Sequence, residues 1–233
     1  MLTEEVLVVL ALSLLASAVY AILSLLEAPL RGATVASANQ DARVARQIVG
    51  VMFGLAPVYL VWHLVRRSGE GPAAIGLSGD RARRDLGLGS LLFAVIGAAG
   101  VGVYLAAVEL GVNRFVVPVP PTGYWWTVPA LVLNALEAAL IEEVIVLAYL
   151  VTRLEQIGAS SRTAVGVSAL LRATYHLYQG WGGFAGNLAM GLVFGALFVR
   201  RRRAWPFVLA HLLLDVGAGI GYLLFRDRLP GFS

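Results

Sequence analysis

The chain contains no cysteine, and charged side chains make up only 14% of its 233 residues. The absence of cysteine excludes disulfides and thiolate metal sites, so any metal would need nitrogen and oxygen ligands. All 18 basic residues are arginines, since the chain also has no lysine. These arginines cluster between apolar runs, which is typical of loop charges that orient membrane helices, and nucleic-acid binding is not predicted.

Apolar residues dominate what is present. A hydrophobic content of 59% and a mean hydropathy of +0.79 leave too little polar surface for a soluble globule. The sequence therefore predicts an all-α, polytopic membrane protein with about seven transmembrane helices. Allowing roughly 20 residues for each crossing, we place the spans at about 6–26, 46–65, 86–112, 130–153, 164–183, 185–199 and 204–225.

The chain is expected to form one continuous membrane domain. Residues 1–129 would supply N-terminal helices and loops, and residues 130–225 the core that holds the ionisable side chains described below. The first span is expected to be a retained helix, because it opens with Glu4 and Glu5 and has no convincing signal-peptide cleavage site. Aromatic residues at Tyr124, Trp125 and Trp126 predict an interfacial start to the fourth span.

The arginines also predict an orientation. With a cytoplasmic N-terminus, the cytoplasmic loops would hold the larger set: Arg66, Arg67, Arg81, Arg83, Arg84, Arg153, Arg162 and Arg200 to Arg203. The opposite loops would hold only Arg31, Arg43, Arg46, Arg114, Arg226 and Arg228. The positive-inside rule thus favours a multi-pass protein of the cell membrane with its N-terminus inside. We interpret the run from Arg200 to Arg203 as a topology signal in contact with anionic lipid.

Five ionisable side chains near the centres of the predicted spans are the candidate site residues: Glu142, Glu143, His176, His211 and Asp215. A carboxylate at the centre of a membrane helix costs about 2.5 to 3.5 kcal/mol, so such residues are functional-site candidates by default. All five lie near the midpoints of their spans, within roughly 6 Å of one plane. His211 and Asp215 share one helix face, whereas the two glutamates differ by about 100°, so only one carboxylate is expected to face a given point.

The order of these residues resembles the intramembrane endoproteases of the CAAX-protease and bacteriocin-processing group, the CPBP or Abi family. Its members look like EExxxR on one helix, FxxxH on the next and HxxxN or HxxxD on a later one. The counterparts here are Glu142 with Glu143, then His176, then His211 with Asp215. The resemblance covers about residues 130 to 220. It implies hydrolysis of a peptide bond in a membrane-associated protein or peptide.

Two positions depart from that pattern. The expected arginine is Leu147, and the expected phenylalanine is Arg172. A buried arginine requires a carboxylate partner, so we hypothesise that Arg172 supplies the missing charge by pairing with Glu143 or Glu137 on the neighbouring helix. The alternative is that Leu147 marks a catalytically silent member that acts as a membrane scaffold or immunity factor.

What the resemblance implies for a protease is a water molecule activated by Glu142 as general base, with His176 holding or deprotonating the same water. His211 would stabilise the oxyanion, with Asp215 keeping the imidazole positively charged. Zinc on Glu142, His176 and His211 is compatible with this residue set and is not required by it.

A proton-coupled transporter is a further alternative, because midplane carboxylates and histidines can also relay protons. It predicts inverted repeats with paired broken helices, and the sequence shows none. The residues select neither a substrate nor an oligomeric state. Abundant alanine, glycine and arginine are typical of a GC-rich bacterial source, which favours the bacterial inner membrane.

Overall fold

A computed structural model describes residues 54–112 and 123–225, together with Thr3, Val6, Val9, Leu14, Ile48 and Val51. These residues form helices and no strand, which confirms the all-α class. The longer helices are α1 (Ala56–Arg67), α2 (Ala82–Glu109), α3 (Thr127–Leu140), α4 (Leu150–Gln156), α5 (Ser161–Tyr175), α6 (Trp181–Arg201) and α7 (Trp205–Phe225). Short 3-10 helices cover Pro72–Ile75 and Leu177–Gln179.

A π-helical segment, Ile141–Tyr149, joins α3 to α4 without interruption, so residues 127–156 form one long helix. Every residue from Glu142 to Tyr149 is buried. The π segment contacts α1, α5, α6 and α7, and Ser168 on α5 donates a hydrogen bond to the Val146 carbonyl at 2.7 Å. Wide π turns are rare and occur often at functional sites. Here the π turn lies at the centre of the helical bundle.

Three of the described helices are long and apolar enough to cross a membrane: Ala82–Ala107, Trp181–Arg201 and Trp205–Phe225. They indicate a membrane protein. The predicted count of seven is not confirmed, because most of the first predicted span and part of the second lie outside the described residues. The long helix over 127–156 coincides with the predicted fourth span, 130–153.

The predicted fifth span, 164–183, is wrong at its C-terminal end. Helix α5 ends at Tyr175, and the chain bends through His176 and the second 3-10 helix before α6 begins at Trp181. Gly180 has φ 102° and ψ −176°, a conformation that is essentially restricted to glycine. The glycine-rich stretch after His176 therefore separates α5 from α6.

Helices α5 and α6 pack closely along a glycine step. A Cβ atom added at Gly191 would lie 2.9 Å from the Ala169 Cα, and one added at Gly195 would lie 2.6 Å from the Val165 Cγ1. Real Cβ atoms do not approach other atoms so closely. The two glycines thus allow α6 to lie directly against the helix that carries Arg172 and leads into His176.

Arg203 joins the turn before α7 to the start of α2, so its prediction as a lipid contact is wrong. Its guanidinium donates to both Asp85 oxygens, to Asp80 at 2.7 Å, and to the Ser78 hydroxyl and carbonyl at 2.9 Å each. The hydrogen bonds from Arg203 and Ser78 hold the pKa of Asp80 at about 2. Arg202 likewise donates to Glu155 at 2.5 Å.

Arg153 was predicted in a cytoplasmic loop, and it is fully buried instead. Its guanidinium pairs with Glu70 and lies 5.4 Å from the centre of the Tyr149 ring. Gln156 also donates to Glu70. A buried cation needs such a partner, and the pair connects the end of the long helix to the loop after α1.

Candidate functional site

Six side chains from the π segment, the C-terminal end of α5 and α7 form one cluster. Glu142 and Glu143 come from the π segment, Arg172 and His176 from the end of α5, and His211 and Asp215 from α7. All five predicted ionisable residues are therefore brought together. Helix α5 ends one residue before His176. His176 nevertheless belongs to the cluster, because the bend brings its Nε2 to 4.0 Å from Glu142 Oε1.

Glu143 is the buried centre of the cluster, with a side chain that is 0% exposed. Its Oε1 accepts a hydrogen bond from Arg172 Nη2 and lies 2.7 Å from His211 Nδ1. A carboxylate oxygen only accepts, so His211 Nδ1 donates. Of the two partners hypothesised for Arg172, Glu143 is the one that the structure pairs with it.

Glu142 has different surroundings from its neighbour. Its Oε2 lies 3.6 Å from Arg172 Nη1 and its Oε1 lies 4.0 Å from His176 Nε2, and Oε2 has no hydrogen-bond partner among the described residues. Both glutamates therefore approach one guanidinium, whereas the sequence predicted that only one could face a given point. A π turn spaces residues differently from an α turn, which changes the angle between adjacent side chains.

The ring of His176 is oriented by the backbone at the end of α5. Its Nδ1 lies 2.9 Å from the Arg172 carbonyl oxygen. Because a carbonyl only accepts, Nδ1 carries the hydrogen, and in the neutral ring Nε2 then presents a lone pair. That lone pair is on the nitrogen nearer Glu142. Glu142 Oε1 and His176 Nε2 are 4.0 Å apart, so each can accept one hydrogen bond from the same water molecule.

His211 lies between two carboxylates. Its Nδ1 donates to Glu143, and its Nε2 is 3.4 Å from Asp215 Oδ2 on the next turn of α7. The distance from Nε2 to Oδ2 is longer than an ordinary hydrogen bond, so when the ring carries a hydrogen on both nitrogens, the one on Nε2 is available to another acceptor. Asp215 is 41% exposed, which makes this the open side of the cluster.

One predicted assignment differs from the observed contacts, and one residue of the cluster was not predicted. Glu137 was predicted as a supporting partner of Arg172, but its carboxylate packs against Gly54, where an added Cβ would lie 1.5 Å from Glu137 Oε1. Close packing therefore explains Glu137. Sequence reasoning also missed Tyr175, a buried tyrosine beside His176. An isolated aromatic residue in an apolar helix has no pattern that distinguishes it from the core.

The ligand atoms of Glu142, Glu143 and His211 lie within 4.8 Å of one another, a spacing that a metal ion could use. The set differs from the predicted one, which had His176 in place of Glu143. Glu143 Oε1 already accepts from Arg172 and His211, and a guanidinium beside the carboxylates repels a second cation. His211 Nδ1, the ring nitrogen in contact with Glu143, carries a hydrogen and offers no lone pair. These residues therefore fit an ion-pair network better than a zinc site.

Comparison with known families gives one match. Residues 124–217 match the family described as type II CAAX prenyl endopeptidase Rce1-like. The matched segment includes all six residues of the cluster and confirms the resemblance found in the sequence. No curated protein and no solved structure matches the chain at a significant level.

Proposed function

We propose that the protein is an intramembrane endopeptidase in which Glu142 activates the hydrolytic water, because residues 124–217 match the Rce1-like type II CAAX prenyl endopeptidase family. The supporting observation is the unequal environment of the two adjacent glutamates. Glu143 is held by Arg172 and His211, whereas Glu142 is partly accessible and faces His176. One carboxylate is thus structural, and the other is free to act as a base.

The proposed first step is attack by water on a substrate carbonyl. Glu142 takes one proton from the water. The second hydrogen stays on the oxygen and is hydrogen-bonded to His176 Nε2, which fixes the direction of the oxygen lone pair. The new bond joins the water oxygen to the carbonyl carbon. The proton held by Glu142 then passes to the leaving amine as the peptide bond breaks.

His211 is proposed to stabilise the oxyanion of the tetrahedral intermediate. Glu143 holds Nδ1, so the hydrogen on Nε2 points to the open side, where a substrate oxygen would approach. Asp215 beside Nε2 and Glu143 beside Nδ1 favour the positively charged ring that donates from both nitrogens. Arg172 acts indirectly by keeping Glu143 ionised and in place.

The alternative of a catalytically silent scaffold was motivated by Leu147. In the structure, Arg172 places a cation on Glu143 from the neighbouring helix. Both carboxylates therefore have a cation nearby, although position 147 is leucine. This observation favours the protease over the silent scaffold.

The test compares wild type with Glu142→Gln and His176→Ala on a library of membrane-tethered peptides in detergent. We expect kcat/KM to fall by about 100-fold or more in both variants, because each loses part of the water-activating pair. Glu109→Gln, which changes an exposed carboxylate at the end of α2, should cleave like wild type. Cleavage should also persist with a chelator. A folded wild type that retains peptides and cleaves none would favour the silent scaffold.

A further inference from the structure

Tyr175 places a hydroxyl in the cluster that the mechanism above does not use. The side chain is 7% exposed, and its ring lies 4.8 Å from the His176 ring. The hydroxyl lies beside Glu142, with Arg172 and Glu143 also close, yet it completes no hydrogen bond of ordinary geometry among the described residues. Buried tyrosine hydroxyls normally have a partner, so this one needs an explanation.

Glu142 lacks a hydrogen-bond donor among the described residues, just as the Tyr175 hydroxyl lacks an acceptor. Its Oε2 is buried without a hydrogen-bond partner, and Arg172 Nη1 is 3.6 Å away. The terminal torsion of a glutamate is broad, with no sharp staggered minima. A carboxylate that no donor holds can therefore rotate, whereas Glu143 is fixed by two donors. A general base must present one oxygen to its water in a defined direction.

We propose that Tyr175 is a positioning residue for Glu142: its hydroxyl donates a hydrogen bond to this carboxylate and fixes the plane from which Glu142 takes the proton of the hydrolytic water. The inference rests on the proposed function. Rotation about the terminal torsion of Glu142 is the movement that completes the bond. The tyrosine ring does not need to move, because it is buried and packed on His176.

An uncharged donor suits this position. Arg172 donates to Glu143 through Nη2, whereas its Nη1 stays 3.6 Å from Glu142 Oε2 and makes no hydrogen bond within the described residues. A phenol hydroxyl supplies one directed hydrogen without adding a second cation beside the base. Tyr175 and His176 are also consecutive at the end of α5, so the same bend in the chain presents both side chains to Glu142.

The test is Tyr175→Phe, which removes the hydroxyl and keeps the ring against His176. We expect kcat to fall roughly 10- to 100-fold, because small errors in the position of a reacting group are costly, and KM to stay within about twofold. The thermal midpoint should change little, because the ring keeps its contact with His176 and only one hydrogen bond is lost, to a carboxylate that Arg172 also approaches. A purely structural tyrosine would lower the midpoint and leave kcat per folded molecule at the wild-type value.

Thr174→Val is the matched control. It removes a hydroxyl from the adjacent residue, where the threonine donates to the Leu170 carbonyl at 2.8 Å outside the cluster, and it should have wild-type kcat and KM. Wild-type kcat in Tyr175→Phe, or a Tyr175→Phe protein that fails to fold, would overturn the positioning role alone. The proposed function fails separately if Glu142→Gln cleaves as well as wild type or if wild type cleaves nothing.

Discussion

Two neighbouring residues of the same type have different environments in this protein. Both donors to Glu143 reach its Oε1, and its side chain has no exposed surface, whereas the Glu142 side chain is 11% exposed and its nearest cation is 3.6 Å from Oε2. Environment, and not residue type, distinguishes a structural carboxylate from a reactive one. Arg172 is the residue on which this difference depends, because it bonds one glutamate and only approaches the other.

Replacing Arg172 with methionine should destabilise the protein strongly. The change leaves Glu143 as a buried carboxylate without its cation, which costs about 3 to 5 kcal/mol. Thermal unfolding in detergent measures the loss. Adding Glu143→Gln to Arg172→Met should recover part of it, because the double variant no longer buries an uncompensated charge.

Arg162→Met is the control for that experiment, since Arg162 is exposed on the same helix and should change stability by less than about 0.5 kcal/mol. A single Arg172→Met variant that unfolds at the wild-type temperature would contradict the importance of the ion pair. So would a double variant that is less stable than the single one.

The site residues were predictable from the sequence to a definite limit. The five ionisable residues, and a pairing of Arg172 with either Glu143 or Glu137, followed from charges in apolar helices and from the resemblance, and the catalytic roles stay predictions. The shared approach of both glutamates to one guanidinium did not follow, because a π turn leaves no signature in an apolar run. Tyr175 was missed because its position depends on where α5 ends.

At the scale of elements, the break after α5 was invisible to hydropathy. Apolar and aromatic residues continue from His176 to Phe184, so composition alone predicted a span to residue 183. The break depends on the backbone at Gly180, whose positive φ is a local property. By contrast, glycines four residues apart form a sequence pattern that is typical of close helix packing, and Gly191 and Gly195 pack against α5 in this way.

Gly195→Leu should separate α6 from α5. An added side chain at this glycine meets Val165, and forcing extra atoms into a packed interface costs about 1 to 3 kcal/mol. Thermal unfolding should report this loss, and peptide cleavage should fall as well, because α5 carries Arg172 and positions His176. Gly186→Leu on the same helix, where an added Cβ meets nothing within 4 Å, should retain stability. Equal midpoints for the two variants would contradict the packing role.

At the scale of the whole molecule, the arginine count used to predict orientation included arginines that form ion pairs within the protein. Arg153, Arg202 and Arg203 were counted as orientation signals, yet they pair with Glu70, Glu155 and Asp85. A count from sequence cannot separate paired arginines from free ones, because the partners are 47 to 118 residues away along the chain. The three pairs nevertheless lie among connecting segments, where the positive-inside rule expects basic residues.

The predicted orientation can be tested directly because the chain has no cysteine. Single cysteines at Ile157, after α4 near the Arg202–Glu155 pair, and at Leu110, just after α2, mark two connections on exposed residues. If the arginine-rich end is cytoplasmic, a membrane-impermeant thiol reagent should label Leu110→Cys in intact cells and Ile157→Cys only after lysis. The natural chain is the unlabelled control. Labelling of Ile157→Cys in intact cells, with Leu110→Cys protected, would reverse the orientation and place the arginine pairs outside.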